Sequence, residues 1–266
     1  MYFISIRLKL APVASEEDVL TRKYPLSLHL VPKLLSLLNS SEGDGGMETP
    51  EKPDGSWITI APLEGNGQNG TFRLTLYGQN ALRNAGTLLN ACSTHPLLQL
   101  GQGNYTITSV DLIHGPWSSV RSWADLTQPS SGSYVHLRFV TPMVMEGPER
   151  CLPSSGGDVY FPRPLPLFSS LLERWQRLAG PPLSADMIPF LQGGGCVVAD
   201  YSLYTQHMAL SDGTRAGLVG WIAYTCHRKN AGCRAALHAL ARLACFTGVG
   251  LYTEHGMGAT CLLGRG

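Results

Sequence analysis

Two glycine pairs near the end of the chain are the residues whose type and spacing most directly suggest chemistry. Gly248 and Gly250 are followed by Gly256 and Gly258, so the sequence contains two Gly-X-Gly steps. Glycine lets a backbone approach a ligand closely and expose successive N–H groups, and such a concavity can hold phosphates. The glycines alone are equally compatible with ordinary turns.

The segments around the glycines argue against a dinucleotide site. That site needs a strand before the glycines and a helix after them, so that the pyrophosphate meets a helix N-terminus. Here the order is reversed, because apolar residues recur at helical spacing from Cys233 to Ala244, before Gly248. A short apolar segment, Ala259 to Leu263, follows and is typical of a strand. The pattern therefore favours the phosphates of another polyanion over a nucleotide cofactor.

Length and composition leave room for one large or two small domains, since 44% of the 266 residues are hydrophobic. The chain has no apolar run of membrane-spanning length, and residues 1–10 alternate instead of forming a signal segment. We therefore expect a soluble, cytoplasmic protein without a membrane partner. Its seven cysteines are scattered with no Cys-X-X-Cys pair, which predicts reduced core residues and no structural metal. We also expect no cofactor.

The net charge of +1 conceals a gradient along the chain. Residues 201–266 carry six Lys or Arg against Asp212 and Glu254, a local charge of +4, so the preceding residues sum to −3. A basic C-terminal third is compatible with a phosphate backbone as partner.

Periodicity predicts two successive passes through the order strand, helix, strand, strand, helix, strand, which defines a ferredoxin-like (RRM-like, βαββαβ) unit. The first pass has a strand over residues 2–10, a leucine-rich helix between 26 and 38, a hairpin of 57–63 and 71–77, a helix over 81–91 and a strand over 105–112. The second has a strand over 135–139, a helix over 165–178, a hairpin of 196–210 and 217–226, the helix before Gly248 and the final strand.

A polar stretch, residues 118–133, separates the two passes. We therefore predict an α+β protein with two tandem ferredoxin-like domains, residues 1–125 and 132–266, the second ending in the glycine-rich loop. The stretch 181–195 is rich in loop residues and carries no predicted element.

Two such units ending in Gly-Val-Gly, a spacer and Gly-Met-Gly resemble the CRISPR-associated repeat-processing endoribonucleases of the RAMP superfamily. Four further segments resemble landmarks of that family, in order along the chain: Ile58 to Leu63, Thr141-Pro142, Phe161-Pro162 and Gly217 to Gly220. The chain departs from the family between the glycine pairs, where Leu251-Tyr252-Thr253 stands in place of a frequent Tyr-Lys-Thr. A lysine that could touch a phosphate is thus absent.

The resemblance implies a metal-independent endoribonuclease that cleaves precursor CRISPR RNA within its repeats. The ribose 2′-OH would attack the phosphate and leave 5′-hydroxyl and 2′,3′-cyclic phosphate ends. The partner would be the repeat RNA, as a hairpin or a single strand, with effector-complex subunits and a second copy of the chain as further candidates. One alternative is a non-cleaving RNA-binding subunit of the same fold, and another is a binding module for a protein or a small ligand.

The resemblance places the catalytic histidine in or beside the first helix, where His29 is the candidate. Lys33 follows by four residues, so both side chains would project from one face of a continuous helix. Lys52 is the rival cation, and Tyr24 is a further candidate proton donor. The opposing interpretation is that His29, between Leu28 and Leu30, is only packed.

The predicted RNA-binding residues lie in the last third of the chain. In the glycine loop they are the four glycines with Tyr252 and His255; around the second hairpin they are Arg215, Arg228 and Lys229. Arg234 starts a basic stripe with His238 and Arg242, at i, i+4 and i+8 on the last helix. Such a stripe is equally typical of a solvated helix face.

Overall fold

The computed structural model divides the chain into two compact units. The first consists of residues 1–121 with 209–213 and 254–256, and the second of residues 122–208, 214–253 and 257–266. The structure describes residues 1–13, 57–65, 70–94, 96–100, 103–112, 118–130, 132–145, 161–210, 213–226 and 230–263. In these ranges no helix is long and apolar enough to cross a membrane.

The sheet of the first unit has the ferredoxin-like strand order. Its elements are β1 Tyr2–Pro12, β2 Trp57–Gly65, β3 Gly70–Gly78, α1 Ala81–Thr94, β4 Leu97–Leu100, β5 Gly103–Asp111 and β6 Ser119–Ser122. The spatial order is β2-β3-β1-β5-β4, and β6 also pairs with β1. Strand β1 is antiparallel to both β3 and β5, so the first strand lies at the centre of the sheet.

The alternation along β1 builds the core of the first unit. Ile4, Ile6, Leu8 and Leu10 are each at most 1% exposed. They share one apolar cluster with the buried residues of α1, which are Ala81, Ala85, Leu88 and Cys92. Each large side chain buried in this way contributes about 1.5–3 kcal/mol. This burial holds β1 against the only α-helix that the described part of the first unit contains.

The second unit repeats the same topology. The elements that lie wholly or mostly in it are α2 Trp123–Leu126, β7 Tyr134–Met143, α3 Pro164–Arg177, α4 Met187–Gln192, β8 Cys196–Leu210, β9 Gly213–Cys226, α5 Ala231–Thr247 and β10 Thr260–Leu262. The sheet order is β10-β7-β9-β8. The last strand therefore pairs with the first, antiparallel, as in the first unit.

Helix α5 supplies much of the core of the second unit. The six apolar residues whose spacing predicts the helix are at most 2% exposed: Cys233, Ala236, Leu237, Leu240, Leu243 and Ala244. The helix begins at an N-cap, where the Asn230 side chain accepts the Cys233 N–H at 2.9 Å. On the sheet, the buried Tyr224 packs edge-on against Phe168 of α3 and donates its hydroxyl to the Pro162 carbonyl at 2.7 Å.

The predicted fold class is confirmed, since both sheets have the ferredoxin-like order. The strands, hairpins and helices predicted within the described ranges are present, with ends that differ by a few residues. Five short elements are not predicted: β4, β6, α2, α4 and a single 3₁₀ turn at Thr253–His255. Strand β6 and helix α2 lie in the polar stretch 118–133, and α4 lies in the stretch 181–195. The leucine-rich helix between residues 26 and 38 lies outside the described residues.

Candidate nucleic-acid interface

The glycine loop begins where helix α5 ends. Gly248 caps the helix, and its N–H donates to the Ala244 carbonyl at 3.0 Å. All four loop glycines are in the left-handed region, with φ of +70° at Gly248, +82° at Gly250, +89° at Gly256 and +63° at Gly258. Residues with a Cβ are strained in this conformation, so the backbone path of the loop favours glycine at these four positions.

Two of these glycines are also required by close backbone contact. A Cβ on Gly250 would overlap the carbonyl oxygen of Val144, and one on Gly258 would overlap that of Val249. The loop therefore packs tightly against the segment that follows β7 and against itself.

Many loop amides are used inside the protein. The N–H groups of Val249, Leu251 and Gly258 donate to the carbonyls of Gly258, Val144 and Pro142, each at 2.9 Å. These bonds give the glycine pairs a role in folding, in addition to the phosphate contact that we predict for them. That contact stays a prediction.

Arg174 of α3 holds the start of the loop, a role that sequence reasoning missed. Its Nη1 donates to the carbonyls of Thr247 at 2.8 Å and Gly248 at 2.9 Å, and its Nη2 reaches the Gly250 carbonyl at 3.3 Å. A guanidinium at the C-terminal end of α5 satisfies carbonyls that the helix leaves unpaired and complements the helix dipole. The sequence carries no signal for this contact, because 73 residues separate Arg174 from Thr247.

The tip of the loop carries an aromatic and an imidazole side chain, both partly buried. Tyr252 has a φ of +59°, which is unusual for a residue with a Cβ, and its carbonyl accepts the Met257 N–H at 3.2 Å. The guanidinium of Arg215 lies 5.6 Å from the centre of the Tyr252 ring, a cation–π contact. The His255 side chain is 43% exposed, with Nε2 3.9 Å from the Glu254 carboxylate. The structure thus brings together two predicted RNA-binding residues, Tyr252 and Arg215.

Two side chains of the basic stripe on α5 are hydrogen-bonded to backbone carbonyls of the protein. Arg242 Nη1 donates to the carbonyls of Leu126 at 2.9 Å and Gln128 at 2.6 Å, and His238 Nε2 donates to the Gly132 carbonyl at 2.8 Å. Arg234 is partly buried, and its Nε has no hydrogen-bond partner among the described residues. Two of the three side chains therefore fasten residues 126–132 to the helix, and RNA contact by Arg234 stays a prediction.

The predicted catalytic residues lie outside the described part of the chain. Tyr24, His29, Lys33 and Lys52 fall in residues 14–56, and Arg228 and Lys229 fall in residues 227–229. Their roles stay predictions.

The two sheets define the class of protein, a tandem ferredoxin-like protein, and solved structures share this fold over nearly the whole chain. A Thermus thermophilus Cas6 product complex is 23% identical, with 98% of this chain and 99% of that chain covered and a TM-score of 0.76. A second Cas6 product complex is 20% identical over 99% of this chain and 100% of that chain, with a TM-score of 0.74. An RAMP protein described as binding different RNA substrates is 13% identical over 98% and 100%, with a TM-score of 0.59.

A family match covers most of the second unit. Residues 137–260 match the model of the CRISPR-associated endoribonuclease Cas6 family, so this part of the chain is similar to the family that the sequence resembles. The matched residues include the second hairpin, helix α5 and the whole glycine loop. None of the curated proteins matches the sequence.

Proposed function

We propose that this protein is a metal-independent endoribonuclease that cleaves precursor CRISPR RNA within its repeats. The observation that carries the proposal is the match of residues 137–260 to an endoribonuclease family. The fold shared with two Cas6 product complexes over nearly the whole chain supports it.

The proposed reaction uses the ribose 2′-OH as an internal nucleophile. His29 moves the proton between the attacking and leaving oxygens, and Lys33 or Lys52 stabilises the charge that develops on the phosphate. Tyr24 is a further proton donor. The bond to the 5′-oxygen of the next nucleotide breaks, which leaves a 5′-hydroxyl and a 2′,3′-cyclic phosphate.

The proposed RNA contacts surround the tip of the glycine loop. Tyr252 offers a ring for a base, and Arg215 beside it offers a cation for a phosphate. His255, the four glycines, Arg228, Lys229 and Arg234 complete the proposed set. Repeat RNA is the proposed partner, and subunits of an effector complex or a second copy of the chain are further proposed partners.

The test compares wild type with His29→Ala on cognate repeat RNA in the presence of EDTA. We expect wild type to cut without free metal, and His29→Ala to lose cutting while it retains RNA binding. The size of the loss is expected to be about 10²–10⁴-fold, the usual contribution of general acid–base catalysis. A matched control is His95→Ala, because His95 has no partner motif in the sequence.

The other outcomes each reject a part of the proposal. Equal cutting by wild type and His29→Ala would reject the role of His29. Binding without any cutting by wild type would reject the nuclease and favour a non-cleaving RNA-binding subunit, an alternative motivated by the missing lysine in Leu251-Tyr252-Thr253. Loss of cutting in EDTA that added metal restores would reject metal independence.

A further inference from the structure

The second sheet has one face that is not filled by the apolar core. Along β7, Val135, Leu137 and Phe139 are buried in the core, while the alternate positions Tyr134 and Arg138 are exposed. The strand register places Trp221 and Ala223 of β9 opposite Arg138 and His136, on the same face as those residues. This face therefore carries three ring side chains and a cation.

An open pocket of about 400 Å³ lies on this face, entirely within the second unit. Tyr134, His136 and Trp221 provide its rings, and Ala199 and Ala223 provide room because their side chains are small. The volume is near the lower end of the roughly 300–1,000 Å³ typical of small-ligand sites. The rings of Tyr134 and His136 meet edge to face, with centroids 6.1 Å apart, so they hold each other in place.

Asp200 gives the pocket a specific polar group. Its Oδ1 accepts the Tyr201 N–H at 2.8 Å, and its Oδ2 has no partner among the residues that the structure describes. An ionised carboxylate only accepts hydrogen bonds, so it selects a ligand edge that carries N–H donors. Aromatic walls with one acceptor suit a flat heterocycle with donors on its rim.

We infer that this pocket binds one unpaired nucleobase of the RNA and prefers guanine. Single-stranded RNA is recognised through bases stacked on aromatic side chains and hydrogen-bonded on their Watson–Crick edges. Guanine presents two adjacent donors on that edge, N1–H and N2–H, which match the two oxygens of a carboxylate. Uracil presents one N–H between two carbonyls, and the Asp200 carboxylate repels the oxygens of those carbonyls.

Arg138 supplies the charge that the attached phosphate needs. It is exposed, pairs across the strands with Trp221 and Cys261, and makes no ion pair with another described residue. Because Arg138 lies opposite the lining residue Trp221, a base in the pocket would have a cation near its phosphate, and the lining residue Asp200 would meet the base itself.

This inference rests on the proposed function, but its test does not require cutting. The full-length chain is titrated with a short oligo-uridine and with the same oligomer carrying one guanine, by fluorescence anisotropy. Wild type should bind the guanine oligomer about tenfold or more tightly than oligo-uridine, within the discrimination that a bidentate contact provides. Asp200→Asn should reduce that preference to below about threefold.

A second variant blocks the pocket without removing its chemistry. Ala199→Leu places a larger side chain in the pocket at an exposed position, so the fold is retained and guanine-oligomer binding should weaken about fivefold or more. The control variant Glu173→Gln removes the same charge as Asp200→Asn, but from an exposed site on α3. It should change neither the affinity for oligo-uridine nor the affinity for the guanine oligomer.

Two results would overturn the pocket: wild type without a guanine preference, or both pocket variants with wild-type affinities. Cutting of cognate repeat RNA by the same preparations is measured separately. Normal cutting with no guanine preference rejects only the pocket. A guanine preference without any RNA cutting rejects only the proposed nuclease.

Discussion

Gly250 combines a left-handed backbone with direct contact to another chain segment. Its φ is +82°, and the carbonyl oxygen of Val144 occupies the place that a Cβ would need. Its own carbonyl accepts from Arg174. A side chain here must therefore move the backbone away from two of its partners.

We predict that Gly250→Ala lowers the free energy of unfolding by at least about 2 kcal/mol, because the left-handed strain and the backbone overlap add together. Urea unfolding at constant temperature measures the change.

The matched control for this prediction is Gly86→Ala in helix α1. Gly86 is exposed, has helical backbone and would place a Cβ in open space. The same substitution there should raise the free energy of unfolding by about 0.5–1 kcal/mol, since alanine favours helix. Effects of equal sign at both glycines would contradict this account of the loop.

At the scale of elements, helix α5 makes different contacts on its two faces. One face fills the core of the second unit, and the other binds residues 126–132 through Arg242 and His238. Burial lowers the pKa of His238, and the nearby cations Arg242 and Arg234 lower it further, while the bond to the Gly132 carbonyl acts in the opposite direction. The folded protein therefore prefers the neutral imidazole.

This preference predicts a pH dependence of stability. In the unfolded chain His238 titrates near pH ~6.5, above its pKa in the folded protein, so the unfolded state binds the proton first as the pH falls. The contribution of His238 to stability is present above about pH 6.5 and is lost as the pH falls through the folded-state pKa.

His238→Gln removes the titration and keeps a donor for the Gly132 carbonyl. We expect its free energy of unfolding to fall less than that of wild type between about pH 7.5 and about pH 5. Urea unfolding of the two proteins across this range makes the comparison. Parallel pH profiles for wild type and variant would refute the assignment.

At the scale of the whole molecule, a net charge of +1 cannot attract RNA by itself. Affinity for a polyanion must come from local cations, and Arg215 beside Tyr252 is one such cation in the described ranges. Each phosphate contact releases counterions, so the slope of log affinity against log salt concentration is proportional to the number of these contacts.

We predict that Arg215→Ala weakens binding of repeat RNA and reduces the slope of log affinity against log salt by about 0.7, the value for one phosphate of a single strand. Anisotropy titrations of 2′-O-methylated repeat RNA over a salt series measure the slope without cleavage. Arg177→Ala is the control, because it removes the same charge from an exposed position at the end of α3. A slope change of the same size in both variants would exclude a specific contact at Arg215.

Periodicity located most elements because the burial of one face is a local property. The alternation in β1 and the helical spacing in α5 each indicate which side chains are buried on folding, and those apolar side chains are buried in the structure. Short elements escaped prediction: α4 has six residues and β4 has four, too few to show a period. Their positions depend on what they pack against.

The sequence by itself determined the order of the strands and helices that the structure describes and the place of the glycine loop, and it predicted the family, since these depend on local patterns and ordered motifs. Only the tertiary structure decided which residues contact the glycine loop and which residues line the pocket. The contact of Arg174 with Gly250 joins residues 76 positions apart, and the pocket assembles Tyr134, Asp200 and Trp221 from three strands. No local pattern encodes these contacts, because sheet pairing and helix packing create them when the chain folds.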